Sequence, residues 1–188
     1  MKVTTTLLLA LQLFLVTAPT DAADITGRVV AVADGDTITV LDSANVQYKI
    51  RIAGIDTPEK GQPFGNRSKQ HLSDLVFGKE VHVDWYKHDP YGRTVGNVWV
   101  IPPDSPCQKP GCPQTLDVGL AQITVGLAWH YKLYADEQSE LDRHRYDFAE
   151  YEARAKKAGL WSDPNPVPPW EWRRSASPET PDTNLPGR

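Results

Sequence analysis

Val29-Val-Ala-Val-Ala-Asp-Gly-Asp-Thr-Ile-Thr-Val-Leu41 decides the fold. Two β-branched stretches, Val29 to Ala33 and Thr37 to Leu41, flank Asp34-Gly35-Asp36. Asp-Gly between such stretches predicts a hairpin, because both residues tolerate the positive φ of a tight primed turn. A polar turn over Asp42 to Asn45 then leads into a third strand, Val46 to Ile55. The chain reads as irregular from Asp56 to Pro63 and helical from about Phe64 to Phe77, with Phe64, Leu72, Leu75 and Val76 on the buried side. Gly78 suits the helix stop. Val81, Val83 and Trp85 alternate with His82 and Asp84, so Glu80 to Tyr86 is a half-buried strand. A turn over His88 to Arg93 precedes the fifth strand, Thr94 to Ile101. A short helix from about Leu116 to Val125 and a last helix from about Glu137 to Ala158 follow. In the last helix Leu141, Phe148 and Ala155 recur every seven residues and are expected to pack on the domain. The pattern predicts an α+β fold: a five-stranded Greek-key β-barrel of the OB (oligonucleotide-binding) type with about three flanking α-helices.

At 188 residues, with 40% hydrophobic and 23% charged residues, the chain has the size and balance of one globular domain with short appendages. Lys2, the apolar run from Leu7 to Val16 and the small residues up to Ala22 have the anatomy of a secretory leader. The run is too short to span a bilayer comfortably. Cleavage is predicted after Ala22, giving a secreted or periplasmic protein with no membrane contact thereafter and no obligate protein partner. The domain is expected over residues 24–162, and residues 163–188 form a Pro-rich tail that lacks the apolar content to fold beyond about Ser175.

In an oxidising compartment, Cys107-Gln-Lys-Pro-Gly-Cys112 reads as a small disulfide loop with Pro110-Gly111 in its turn. Two thiols without a paired histidine motif do not make a closed zinc site. The net charge of −4 counts against tight, non-specific coating of nucleic acid, and any affinity must come from a local cluster or a bound cation. It leaves open a nuclease whose acidic site is neutralised by a cation.

Asp34 and Asp36 flank the first turn, and Asp56-Thr-Pro-Glu59 begins where the third strand ends. If the second and third strands are neighbours, Asp36 and Asp56 converge at one mouth of the barrel, a hard oxygen site suited to Ca²⁺. Arg51 lies between Ile50 and Ile52 in the third strand, five residues before Asp56, and Arg93 follows the turn Pro90-Tyr-Gly92. Guanidinium groups match phosphate oxygens in a two-point fashion that lysine cannot. Each feature alone is ordinary: a turn, a strand end, a surface charge.

Taken in order and spacing, Asp34-Gly-Asp-Thr37, Arg51, Asp56-Thr-Pro-Glu59 and Tyr91-Gly-Arg93 resemble the staphylococcal nuclease (thermonuclease-like) family. Gly126-Leu-Ala-Trp129 and Gly159-Leu-Trp-Ser162 extend the resemblance over roughly Ile25 to Ser162, and Pro166 to Arg173, with Pro168-Pro-Trp-Glu-Trp172, resembles the ending of bacterial relatives and is expected to pack back on the domain. The resemblance implies that Asp36, Asp56 and the carbonyl of Thr57 bind Ca²⁺, with Asp34 supporting them. It also implies that Arg51 and Arg93 hold the scissile phosphate while Glu59 orients or deprotonates the attacking water. Tyr91 and Tyr134 are candidates to stack on bases. The implied activity is calcium-dependent endonucleolytic hydrolysis of DNA and RNA, leaving 3′-phosphate ends. The competing reading is a non-catalytic OB-fold module that binds nucleic acid or protein; retention of Arg51, Glu59 and Arg93 favours the enzyme. Pro90 stands where the family prototype has a nucleotide-binding lysine, and the cysteine loop resembles an insertion. His71, His82, His88, His130 and His144 show no metal spacing in the sequence.

Overall fold

The structure, a computed structural model, describes residues 23–176. The expected leader, its cleavage point and the far end of the tail lie outside the described residues. Strand β1 (Ala23–Val32) pairs antiparallel with both β2 (Thr37–Leu41) and β5 (Glu80–His88). Strand β2 pairs with β3 (Gln47–Ile52), and β5 with β6 (Thr94–Val100). The barrel of five strands closes where β3 meets β6 in parallel, Arg51 opposite Val95. Closure removes the exposed edges that an open sheet of this size would present. Val29, Ile38, Val40, Ile50, Ile52, Val81, Val83, Val98 and Val100 fill the interior, as the period-2 alternation requires.

Two expectations about the strands need correction. Gly35 is not among the residues with positive φ, so no primed turn forms. Ala33 to Asp36 make a four-residue connection, in which the Ala33 N–H donates to the Thr37 carbonyl, 2.8 Å. A glycine is needed there for room: a Cβ on Gly35 would lie 2.0 Å from Ser68 Oγ and 2.8 Å from Thr57 Oγ1. The third strand does not run through to Ile55. The chain turns at Ala53-Gly54, and a separate two-residue strand β4 (Ile55–Asp56) pairs with β8 (Trp129–His130). That break turns Asp56 out of the barrel wall toward its mouth.

Helix α1 (Gly65–Val76) buries Leu72 and Val76 as expected. After the disulfide between Cys107 and Cys112, β7 (Leu116–Asp117) leads into α2 (Val118–Thr124), capped by the Asp117 carboxylate accepting from the Leu120 N–H. The last long helix is shorter than expected. A 3₁₀ turn over Lys132–Glu137 precedes α3 (Glu140–Ala155), which Ser139 caps. Its seven-residue stripe is not the packed face: Leu141 is 68% and Phe148 66% exposed. The helix instead buries Tyr146, Ala149, Glu150 and Ala153, spaced at helical intervals. Tyr146 donates its hydroxyl to Asp117, 3.0 Å, tying α3 to the start of α2.

A second, smaller cluster joins Trp129, Ala153, Leu160 and Trp161 to Phe64 and Trp170. Part of the tail therefore belongs to the folded unit. Helix α4 (Pro169–Ala176) seats Trp170 against Trp129 and stacks it on Tyr131, with ring centroids 5.6 Å apart in each case. The Gln62 amide donates to the Val167 carbonyl, 2.6 Å, as a further tie. Among the described residues no helix is long and apolar enough to cross a membrane. The disulfide closes a short surface loop, so its removal in a Cys107→Ser, Cys112→Ser variant is expected to cost only about 2 kcal/mol. A urea melt should register that loss while activity stays unchanged.

Candidate active site

The connection after β1, the end of β3, strand β4 and the turn before β6 all open on one cleft of about 690 Å³. Asp34, Asp36, Arg51, Asp56, Thr57, Glu59, Tyr91, Arg93 and Tyr134, named from the sequence for binding or catalysis, all line it. The sequence scatters them over a hundred positions, and barrel closure gathers them.

Asp36 and Asp56 are almost wholly buried, 5% and 1% exposed. Arg51 bridges them, with Nη1 3.0 Å from Asp36 Oδ2 and Nη2 3.1 Å from Asp56 Oδ1. Asp36 Oδ2 also accepts from the Thr57 N–H, 3.2 Å, and the Thr57 hydroxyl, 3.0 Å, so the turn and the β4 exit are locked together. Burial pushes the Asp56 carboxyl above its ordinary range, only partly offset by Arg173 and Arg51. Asp34 is pushed up to about 6 by burial and by the neighbouring Asp36 charge. Acids whose ionisation is penalised by burial and by one another form a site that favours a cation. The donor set, carboxylate oxygens with the Thr57 hydroxyl beside Asp36, is hard oxygen, and so fits Ca²⁺ or a similar ion.

Arg93 reaches the cleft by a device the sequence reading missed. The Asp89 carboxylate accepts from the backbone N–H of Tyr91 and of Arg93, both 2.9 Å, and from Arg93 Nε, 2.6 Å. Burial would raise the Asp89 carboxyl, but the Arg93 and Tyr91 bonds prevail and hold it below the ordinary value. Asp followed by Pro-Tyr-Gly is a recognisable turn signal, since an Asp side chain caps backbone two residues on. Arg93 Nη1 also sits 3.4 Å from the Thr37 hydroxyl, beside Asp36. Tyr91 is 85% exposed at the rim, and Tyr134, 46% exposed, faces the ammonium of Lys87 at 4.7 Å. Glu59 is part-exposed and pairs with Arg173 of α4, Nη1 to Oε1 2.7 Å. Nothing in the sequence around Arg173 marked it for the site.

The histidines need one correction. Strand alternation puts His82 and Asp84 on one face, and β1 adds Asp24, bringing three possible ligand atoms within 4.8 Å of one another. None of the three lines the cleft.

Buried acids bridged by a guanidinium, with a second arginine on the same cleft at the barrel mouth, make a site fit for a cation beside an anionic ligand. Residues 49–163 match the family described as staphylococcal nuclease homologue. The chain is 43% identical over 155 residues to a micrococcal nuclease of Shigella flexneri, covering 82% of this chain and 83% of that one. It is 40% identical over 163 residues to an uncharacterized endonuclease of Escherichia coli, covering 87% and 94%. The staphylococcal-like nuclease CAN1 of Arabidopsis thaliana is 36% identical over 129 residues, 69% of this chain and 34% of that protein. The chain belongs to the staphylococcal nuclease homologue family.

Proposed function

We propose that the protein is an exported, calcium-dependent endonuclease that hydrolyses DNA and RNA with little sequence preference and leaves 3′-phosphate ends. The observation that carries this reading is the meeting of Asp36, Asp56, Arg51, Glu59 and Arg93 around a single cleft. Asp36 and Asp56 would hold the ion, with Thr57 and Asp34 supporting. When bound, calcium supplies Lewis-acid polarisation of the phosphodiester. Arg51 and Arg93 place donors where charge gathers on the non-bridging oxygens. Glu59 aims a water at phosphorus and takes its proton; the P–O5′ bond breaks, leaving a 3′-phosphate and a 5′-hydroxyl. Tyr91 and Tyr134, at the rim, suit stacking on unpaired bases, a contact open to the π-face of every base.

The test is cleavage of end-labelled single-stranded DNA and RNA by the purified chain, with calcium or with chelator, and with an Asp56→Asn variant beside it. The expected result is cleavage of both substrates that chelator and the variant abolish, with products whose 3′ ends accept a 5′-phosphorylated adaptor only after phosphatase treatment. Cleavage that survives both would reject the site.

A further inference from the structure

Both oxygens of Asp56 accept from a guanidinium that the catalytic scheme does not use. Arg173 Nη2 donates to Asp56 Oδ2 at 2.8 Å and Nη1 to Asp56 Oδ1 at 3.3 Å, while Nη1 also reaches Glu59 Oε1 at 2.7 Å. Arg51 Nη2 already holds Asp56 Oδ1. A planar fork laid across two carboxylates in this way is the strong form of charge-assisted hydrogen bond.

This placement is built. Trp170, three residues earlier and so on the same side of α4, is clasped by Trp129 and Tyr131. Trp129 is the residue opposite Asp56 in the β4–β8 pair. One aromatic anchor thus sets the tail helix and the acid that Arg173 meets. We infer that Arg173 is a built-in competitor for the metal: the tail helix lays a guanidinium on Asp56 and Glu59, and a divalent cation must displace it to bind Asp56. The inference rests on the proposed assignment of Asp56 as a metal ligand.

The charges state the competition. Asp36, Asp56 and Glu59 carry three negative charges against the two of Arg51 and Arg173. A dication bound at Asp56 would stand within a few ångströms of the Arg173 fork, where like charges repel. Arg173 is 45% exposed and sits on a short helix, so it can swing toward solvent; Arg51, 14% exposed in a barrel strand, cannot. The tail therefore lowers calcium affinity and keeps Glu59 paired until the ion arrives.

Calorimetric titration of calcium into chelator-stripped protein at low ionic strength tests this. Arg173→Gln is expected to bind calcium on the order of tenfold more tightly, a partly exposed charge contact being worth roughly 1 kcal/mol. Arg173→Lys, which keeps a charge but loses the fork, should fall between Arg173→Gln and wild type. Arg174→Gln is the control: it removes the same charge from the same helix, where Nε reaches only the Trp170 carbonyl among the contacts resolved for it. It should bind calcium within about twofold of wild type. Equal tightening in Arg173→Gln and Arg174→Gln, or none in Arg173→Gln, would overturn the inference. Asp56→Asn separates the two ideas. Calcium binding undiminished in that variant removes the metal assignment and the inference with it, whereas loss of binding there with Arg173→Gln unchanged sinks the inference alone.

Discussion

Arg51→Gln is expected to lower kcat by roughly a hundredfold or more, because one preorganised charge at a transition state is typically worth about 3 kcal/mol. The side chain sits within 3.0–3.1 Å of both buried acids and is itself only 14% exposed. Glutamine keeps much of the volume and removes the charge. Under the proposed scheme two consequences separate in kinetics: loss of phosphate stabilisation would lower kcat, while KM would change less, since Arg93 and the rim tyrosines would still hold the strand. Arg51→Lys should recover little, as an ammonium lacks the planar fork that meets two oxygens with two parallel bonds. The substitution also strips the buried Asp36 of its guanidinium and leaves Asp56 with Arg173 alone, which lowers the melting temperature in the absence of metal. Steady-state kinetics with a thermal melt checks both, and a kcat near wild type would remove Arg51 from the chemistry.

The largest stability effect is expected far from the acids. Gly126 and Gly159 meet back to back: a Cβ on Gly126 would lie 2.3 Å from the Ala158 carbonyl oxygen, and one on Gly159 would lie 2.1 Å from the Gly126 carbonyl oxygen. Both have positive φ, 69° and 52°. The Leu160 N–H donates to the Gly126 carbonyl at 2.8 Å, so the contact is also bonded. Gly126→Val combines overpacking, about 1–3 kcal/mol, with a left-handed backbone penalty of about 1–2 kcal/mol. The sum, roughly 2–5 kcal/mol, is a large part of the stability of an ordinary domain. Gly78→Ala is the matched control, because φ is 75° there but nothing lies within 4 Å of the added carbon. It should lose only about 1 kcal/mol, the backbone part. Urea melts of both variants measure the difference; equal losses would show that the close approach costs nothing. Trp129 follows Gly126 by three residues and pairs with Asp56. Activity should therefore fall in Gly126→Val even at temperatures where the chain is still folded.

Much of the fold was legible because alternation is a local signal. Val81-His-Val-Asp-Trp85 and Thr37-Ile-Thr-Val40 place their own residues in or out of the barrel, and β5 and β2 formed where that pattern put them. The break of the third strand at Gly54 was not legible. Ile55 and Asp56 continue the strand pattern, and only the arrival of Trp129 and His130 gives them another partner. The packed side of α3 was misread for a related reason. Leu141 and Phe148 look buried by composition, yet the helix rests on Tyr146, Ala149, Glu150 and Ala153, a stripe whose small and polar members hide its periodicity.

At the site, Asp36, Arg51, Asp56, Glu59 and Arg93 could be named because their motifs keep order and spacing along the chain. Asp89 carries a weaker signal, an Asp opening a Pro-Tyr-Gly turn. Arg173 carries none, standing in a Pro-rich tail 117 residues from the acid it meets.

The amino-acid order determined the barrel strands, the residue types of the acidic mouth and the turn that carries Arg93, because each depends on neighbours within a few positions. Tertiary structure alone decided that Arg51 bridges two acids, that Gly35 is needed for room rather than for φ, and that the tail lays Arg173 on Asp56 and Glu59. Those are contacts between distant segments. Their energies depend on distances that exist only after β3 has closed on β6 and Trp170 has found Trp129.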